Sequence, residues 1–207
     1  VFPTDPQAKA RLEEWLSAGG EGALDVIGLD LRDADLSEAN LQESWLTDAK
    51  LSGVKLVGAD LYRSDAEGAD FTEADLTRAS LVRVNLDDAV LRGAVLDGAD
   101  LVKASLYDVD ATNASLRGTR VLGASLLNVD FRGADLSHAV LRENSFKVTV
   151  DDRTKVEGLS GTVFGPVRVI DDQGVEHEIA GAALERWVSE RGGSVEVLPV
   201  PEAKRSL

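Results

Sequence analysis

The chain has no cysteine and no methionine among its 207 residues, only two histidines and five prolines, and just 5% aromatics. Lack of cysteine excludes disulfides, a thiolate nucleophile and sulfur-ligated zinc, and says little about compartment. Methionine is missing even at position 1, so the native start is expected upstream of this numbering, and removal of a leader stays open. Basic residues are scarce as well: 22 Lys and Arg stand against 37 Asp and Glu, for a net charge of −15. That balance argues against direct nucleic-acid binding, which needs a basic stripe to neutralise phosphates. It suits a basic partner or simply a soluble surface. No stretch approaches the roughly 18 apolar residues of a spanning helix, so no membrane is expected and the cytoplasm is the default location. The length fits one extended unit rather than several domains.

What the chain does have is a five-residue period held without a slip. Centres run from Leu31, Leu36, Leu41 and Leu46 through Ala66, Phe71, Leu86, Ala111, Val121 and Phe131 to Leu141 and Phe146, 24 consecutive units. Two residues before each centre sits a second apolar or small residue, such as Ala34, Ala39, Ser44, Val54, Ala59 or Val84. The other three positions are mostly Asp, Asn, Ser, Arg, Glu, Gly and Thr. Each unit therefore points one large and one small side chain inward and three polar ones outward. Neither the helical period of about 3.6 nor the strand period of 2 fits. A coil that turns a corner every unit does, and a period this short indicates a solenoid, whose function lies on its faces and ends. Ala66 and Ala111 interrupt the run of large centres. Each implies either a local groove or filling by larger neighbours, since a bare cavity would cost about 2–5 kcal/mol.

Ala34-Asp35-Leu36-Ser37-Glu38, Ala59-Asp60-Leu61-Tyr62-Arg63, Ala69-Asp70-Phe71-Thr72-Glu73 and Ala134-Asp135-Leu136-Ser137-His138 all read A(D/N)LXX. The pattern resembles the pentapeptide-repeat family over more than half of the chain. The resemblance implies an all-β solenoid: a right-handed, quadrilateral β-helix with four units per coil. On that basis about six coils are expected, roughly 29 Å long at the inter-strand spacing of about 4.8 Å. It also assigns the abundant Asp residues a structural role at the turns.

Solenoid ends expose core and unpaired edges unless covered. Thr4 or Asp5 followed by Pro6 reads as a helix start, Gln7 to Ser17 places Leu12, Trp15 and Leu16 on one face, and Gly19-Gly20 stops the helix. This segment is expected to cap the first coil, with Leu24, Val26 and Ile27 leading into the repeats; a partner-binding helix is the alternative. After Phe146 the register dissolves, and 148–163 reads as a loop or an irregular last coil. Then follow a hairpin with Val167 and Val169, a turn over Asp171-Asp172-Gln173-Gly174, and Val175, His177 and Ile179. Ala182 to Arg191 forms a short helix, and Val195, Val197 and Val200 a last strand. This ββαβ piece is too small to be stable alone. The expected division is 1–25 as an N-terminal helical cap, 26–148 as the β-helix and 149–207 as a C-terminal capping or dimerisation module. Relatives that act on gyrase often dimerise through their C-terminal ends, but this segment is longer and more strand-rich than the terminal helix of that group.

No active site is legible. His138 sits at an outward position and His177, alternating with Val175 and Ile179, is expected to face the hairpin core. Gly19-Gly20-Glu21-Gly22 lacks the Lys-Ser/Thr of a phosphate loop, and the Asp spacing does not match a calcium loop. No catalytic, cofactor-binding or metal residues are assigned and no cofactor is expected; an enzymatic reading would rest on the C-terminal piece alone. With four units per coil, residues 20 apart stack in columns. The face centred on Leu46, Ala66, Leu86, Leu106, Leu126 and Phe146 carries Asp48, Asp65, Glu67, Asp87, Asp88 and Asp108, with Lys147 its one outward cation. The face centred on Leu41, Leu61, Leu81, Leu101, Val121 and Leu141 carries Arg63, Arg83, Lys103, Arg120 and Arg142 among acids, and an outward column of Tyr62, Val82, Val102 and Leu122. Four stacked apolar side chains suggest a contact with a partner, with a second copy in a homodimer, or with a terminal segment of the same chain. Two functions follow: a non-catalytic protein–protein binding scaffold with an unidentified partner, or an acidic DNA mimic. The second comes from the resemblance, since some pentapeptide-repeat proteins are acidic rods that occupy the DNA-binding saddle of DNA gyrase and other type II topoisomerases and protect against quinolones.

Overall fold

The computed structural model describes residues 1–199, and the coil in it closes every 20 residues. Parallel bridges pair Asp25 with Trp45, Asp30 with Lys50, Asp35 with Lys55 and Asn40 with Asp60, and the same offset continues to Ser115 with Asp135. Four five-residue units thus make one turn of the solenoid. The ladder begins one unit before the first expected centre, with Val26, which is fully buried.

Each corner follows from the residues of one unit. The N–H of Ala34 donates to the Leu31 carbonyl at 3.0 Å, closing a β-turn whose third residue, Asp33, has φ 59°. A positive φ at that position alone is the signature of a type II turn. In the same coil the Asp35 carboxylate accepts the N–H of Ser37, two residues on, at 3.1 Å. Asn40, Asp60, Asp70, Asp75, Asn85, Asp100, Asp110 and Asp135 do the same for the residues two ahead of them. Short side-chain acceptors of this kind fix turns, which explains why Asp and Asn recur before the central Leu. Inside, the Leu centres and the Ala positions are buried and form one continuous core. Ala66 and Ala111 are buried too, and Ala111 is in register with Phe131, a larger neighbour on the next coil.

Polar residues at the small inward position clamp the coil before them. The Ser64 hydroxyl donates to Leu41 O, and Asn144 bridges the corner below it, its Nδ2 donating to Val121 O at 2.7 Å and its Oδ1 accepting from Ala124 N at 2.9 Å. Among the described residues no buried side-chain polar atom lacks a hydrogen-bond partner.

At the N-terminal end, α1 (Pro6–Ser17) is capped by Asp5, whose carboxylate accepts the Ala8 N–H at 2.8 Å. Ala8, Leu12 and Trp15 join the core, whereas Leu16, expected on the same face, is 49% exposed. The spacing 8, 12, 15 defines the inward stripe, and Leu16 lies one residue off it.

From Arg120 onward bridges lengthen into strands: β1 (Arg120–Leu122), β2 (Ser125–Asp130), β3 (Val140–Asp151), β4 (Ser160–Phe164) and β5 (Val167–Ile170). The register does not dissolve after Phe146. It slips by one residue, from Leu127 opposite Lys147 to Val129 opposite Val148, and is restored by Asp135 opposite Lys155. Inward positions are taken by Phe146, Val150 and Val156, a four-residue unit followed by a six-residue one. Parallel pairing then carries on through β3–β4 and β3–β5 to Ile170. The boundary expected between 148 and 149 therefore falls inside β3.

The hairpin closes from β5 onto β6 (Glu176–Ile179), α2 (Gly181–Ser189) buries Leu184 and Val188, and β7 (Ser194–Leu198) pairs in parallel with β4. The expected ββαβ order is present. Its outer strands prolong the ladder of the coils, in the order β6-β5-β3-β4-β7, instead of docking as a separate layer. Val200, expected in the last strand, lies outside the described residues.

Candidate binding faces

The 20-residue offset puts Asp48, Asp65, Glu67, Asp87, Asp88 and Asp108 on one side of the rod, all at outward positions. None of the six has an ion-pair partner among the described residues. Three are held by neutral donors: Asp65 Oδ1 and Glu67 Oε2 accept from Asn85 Nδ2 at 3.0 and 3.4 Å, and Asp87 Oδ1 accepts from Ser105 Oγ at 2.6 Å and Tyr107 N at 2.8 Å. Those bonds orient the carboxylates without neutralising them.

On each of the other faces some carboxylates are ion-paired, although others there, such as Asp35, Asp70 and Asp75, are held only by neutral donors. Asp30 is gripped by the Arg32 guanidinium at 2.6 Å, which holds its carboxyl below the ordinary range. Burial pushes Asp135 up, but the Ser137 hydroxyl and N–H, Lys155 and Arg117 outweigh it, and the net shift is downward. Asp100 pairs with Arg120 at 2.7 Å and Asp110 with Arg92 at 3.1 Å. Among the described residues of the regular coils, the acidic face is thus the one that carries no ion pair, while unpaired acids as such also occur on the other faces.

The acidic face also exposes apolar surface that the charge reading overlooked. Trp45 is 52% exposed, Ile27 52% and Tyr107 44%. Their phase was available in the sequence, because Trp45 immediately precedes the centre Leu46 and Tyr107 immediately follows Leu106. On the adjacent face, Tyr62, Val82, Val102 and Leu122 stack at one outward position and are half-buried, and the Arg63 guanidinium lies 5.3 Å from the Tyr62 ring centroid.

His177 does not face a core. It is exposed, and its Nε2 lies 3.0 Å from Asp171 Oδ2, so the hairpin turn and not the interior takes this residue. The reason is visible in the pairing: Val169 opposite it is buried against the coil, while Glu176, His177 and Glu178 all face solvent on the outer strand. His138 is exposed, as its position in the unit implies. A cavity of about 380 Å³ near the C-terminal end is lined by Gly165, Pro166, Ala180, Gly181, Val197, Leu198 and Pro199, with no titratable side chain among them. Among the described residues no three His, Asp or Glu cluster as a metal site would require, and no helix is long and apolar enough to cross a membrane.

Comparison with known proteins places this geometry. The profile of the family described as pentapeptide repeats matches in 8 copies, over residues 25–53, 46–81, 55–93, 69–106, 84–121 and 104–142. Among solved structures, HetL, a pentapeptide repeat protein involved in heterocyst differentiation regulation in the cyanobacterium Nostoc sp. strain PCC 7120, is similar with a TM-score of 0.57. It is 21% identical, over 81% of this chain and 98% of HetL, which speaks to the fold alone. A pentapeptide repeat protein of the Arabidopsis thaliana thylakoid lumen is 31% identical over 53% of this chain and 66% of its own, with a TM-score of 0.25. Full-length QnrB1, a plasmid-mediated fluoroquinolone resistance protein, is 12% identical over 86% of this chain and 94% of its own, with a TM-score of 0.27. Neither of these two supports an argument at that TM-score. Curated protein sequences give no significant match.

Proposed function

This chain belongs to the pentapeptide-repeat family, and on that premise we propose that it is a non-catalytic binding scaffold whose acidic face meets a cationic protein surface. One observation carries the reading: six outward carboxylates share a face, none has an ion-pair partner among the described residues, and exposed Trp45 and Tyr107 lie among them. Unneutralised like charges on adjacent coils repel, so a partner that supplies cations relieves the repulsion as it binds. Exposed aromatic rings add contact area and cation–π attraction for Arg and Lys. In this reading α1 and the strands beyond Phe164 cap the two ends of the β-helix and leave its sides free for partners.

A second reading has the same face imitate DNA toward gyrase or another type II topoisomerase. The one-sided, unpaired charge on an uninterrupted stack of coils favours it. A single set of variants separates the two. Asp87→Asn/Asp88→Asn/Asp108→Asn keeps an acceptor oxygen at each position and removes three charges. The scaffold reading expects saturable binding of a labelled arginine-rich peptide, weakened about tenfold in the variant, since three exposed pairs of about 0.5 kcal/mol are lost. Dose-dependent inhibition of purified bacterial gyrase supercoiling, relieved in the variant, would select the DNA-mimic reading. Binding of the peptide undiminished in the variant would refute both.

A further inference from the structure

The face beside the acidic one carries cations where the acidic face carries Asp88, Asp108 and Asn128 at the same turn position. In the corner after each unit, the residue with positive φ often alternates between a long side chain and glycine from coil to coil, as in Asp33 and Gly53, Glu38 and Gly58, or Asn113 and Gly133. The long side chain then lies across the glycine above it. Here instead Arg63, Arg83 and Lys103 occupy that position on three successive coils, with φ 57°, 61° and 58°, before Gly123 ends the run. All three are exposed. Cations one coil apart repel, and left-handed backbone disfavours side chains of this kind. Only Arg63 has an acidic partner among the described residues, Glu43 at 3.8 Å.

Directly beside the cations runs the column of Tyr62, Val82, Val102 and Leu122. The column on its other flank is partly neutralised: Asp100 pairs with Arg120 at 2.7 Å, whereas Asp60 accepts from the neutral Gln42 Nε2 at 2.6 Å and keeps its charge. The face therefore presents an apolar strip with one edge of mixed charge and one cationic edge on which Arg83 and Lys103 have no ion-pair partner among the described residues, on a chain of net charge −15. A second acidic rod of this kind would bring its own charge, and a nucleic acid would meet Glu43, Asp60 and Asp100 together with apolar side chains.

We propose that this face docks an acidic amphipathic α-helix of a partner protein, laid along the rod axis with its apolar stripe on Tyr62, Val82, Val102 and Leu122 and its carboxylates on Arg63, Arg83 and Lys103. The repeat distances select the helix. Coils stack at about 4.8 Å and a helix advances about 5.4 Å per turn, so over four levels the mismatch stays near 2 Å, within side-chain reach. An extended strand along the same line repeats one side every ~6.8 Å and falls out of step by about 6 Å over the same four levels. About ten residues of helix span the strip. The inference rests on the scaffold reading but uses a different face and a partner of opposite charge.

The test uses the full chain and a fluorescein-labelled synthetic peptide of about 15 residues, with Leu at helical spacing and Glu along one flank. A peptide of identical composition with the Leu phase scrambled is the control. Anisotropy titration should show saturable binding of the first peptide and binding of the scrambled one weaker by about tenfold or more. Arg83→Glu/Lys103→Glu and, separately, Val102→Asp should each weaken the designed peptide by about tenfold or more, with thermal unfolding of both variants unchanged. Arg83→Ala/Lys103→Ala serves if the charge reversal disturbs folding. Asp87→Asn/Asp88→Asn on the acidic face should leave this peptide's affinity unchanged. Failure of the parent to bind the designed peptide, or equal binding of the scrambled one, overturns the proposal. If the arginine-rich peptide still binds the acidic face in that event, the scaffold reading stands without this partner.

Discussion

The coils from Asp25 to Gly118 and those from Arg120 to Ile170 solve the same problem by different means. In the first group almost every unit closes its corner with a backbone turn bond such as Ala59 N to Leu56 O at 3.0 Å, and where an Asp or Asn precedes the centre it accepts the N–H two residues on. In the second group some corners open and strands run through them, with β3 extending over 12 residues, while others, such as Ala134 N to Phe131 O at 3.0 Å, stay closed. Side chains from the next coil bond to these corners, in place of the turn bond at Val121 and beside it at Phe131. Asn144 reaches back to Val121 and Ala124, Asp151 to Gly133, and Thr154 to Phe131. Local closure gives tolerance and a strict period; closure at a distance permits the register to slip and recover, and concentrates stability in a few residues.

The sharpest way to break this comparison is the same substitution in each group. At Gly161, φ is 118° and a Cβ would run into the Leu141 carbonyl of the paired strand. Neither can relax without parting β3 from β4. Gly161→Ala should cost at least about 4 kcal/mol. At Gly58, φ is 67°, a value that Glu38, Arg78 and His138 adopt at equivalent positions, and the nearest obstacle is the flexible Glu38 carboxylate. Gly58→Ala should cost about 1 kcal/mol. Equal shifts in the chemical denaturation midpoint would show that the two regions do not differ in this way.

A smaller effect belongs to the regular coils themselves. Leu86 is 1% exposed, stacked between the centres of neighbouring coils. Leu86→Ala should destabilise by about 2–5 kcal/mol, depending on how far the stack collapses. A midpoint indistinguishable from the parent would place Leu86 outside the core and invalidate the assignment of every outward column, including the carboxylates of the acidic face.

The contrast also explains what could be read in the sequence. From Leu31 to Leu141 each unit carries its own instructions, so the period yields the inward residues, and the 20-residue columns and the two distinctive faces follow once the resemblance adds four units per coil. Family resemblance supplied the four-sided coil; the residues supplied the phase. Past Phe146 the four-residue unit hides Val150 from a five-residue frame, although the six-residue unit after it returns Val156 to that frame, and the compensating bonds span about one coil, so no local pattern reports them. His177 was misplaced for a related reason. Alternation with Val175 and Ile179 identifies a strand but not its buried side, and that side is set by the coil beneath β5. On the acidic face the charges were legible, whereas the lack of ion pairs required knowing where Arg32, Arg92, Arg117 and Arg120 reach.

The smallest effect compares two carboxylates in the same local motif. Asp30 and Asp151 each accept an Arg two residues ahead in a bidentate grip, but Asp151 also takes the Gly133 N–H of the coil below at 2.9 Å and the Thr154 hydroxyl at 3.1 Å. Burial pushes the Asp151 carboxyl up, the Gly133 N–H, Arg153 and Thr154 pull it down, and the net position is below the usual carboxylate range. A folded-state pKa below the unfolded value of about 3.9 gives stability that is present in full above that pH and lost as pH falls through the folded value. Asp151→Asn retains an acceptor for Gly133 and loses the charge, so it should cost about 1–2 kcal/mol at pH 7. The gap between variant and parent should then narrow below about pH 4, as the parent's own carboxyl becomes protonated. Denaturation midpoints at pH 7, 4 and 3 decide the matter. A gap that stays constant across that range would mean that Asp151 stabilises the slipped coil by shape and neutral hydrogen bonding, with its charge contributing nothing beyond what Asp30 contributes in a coil that closes itself.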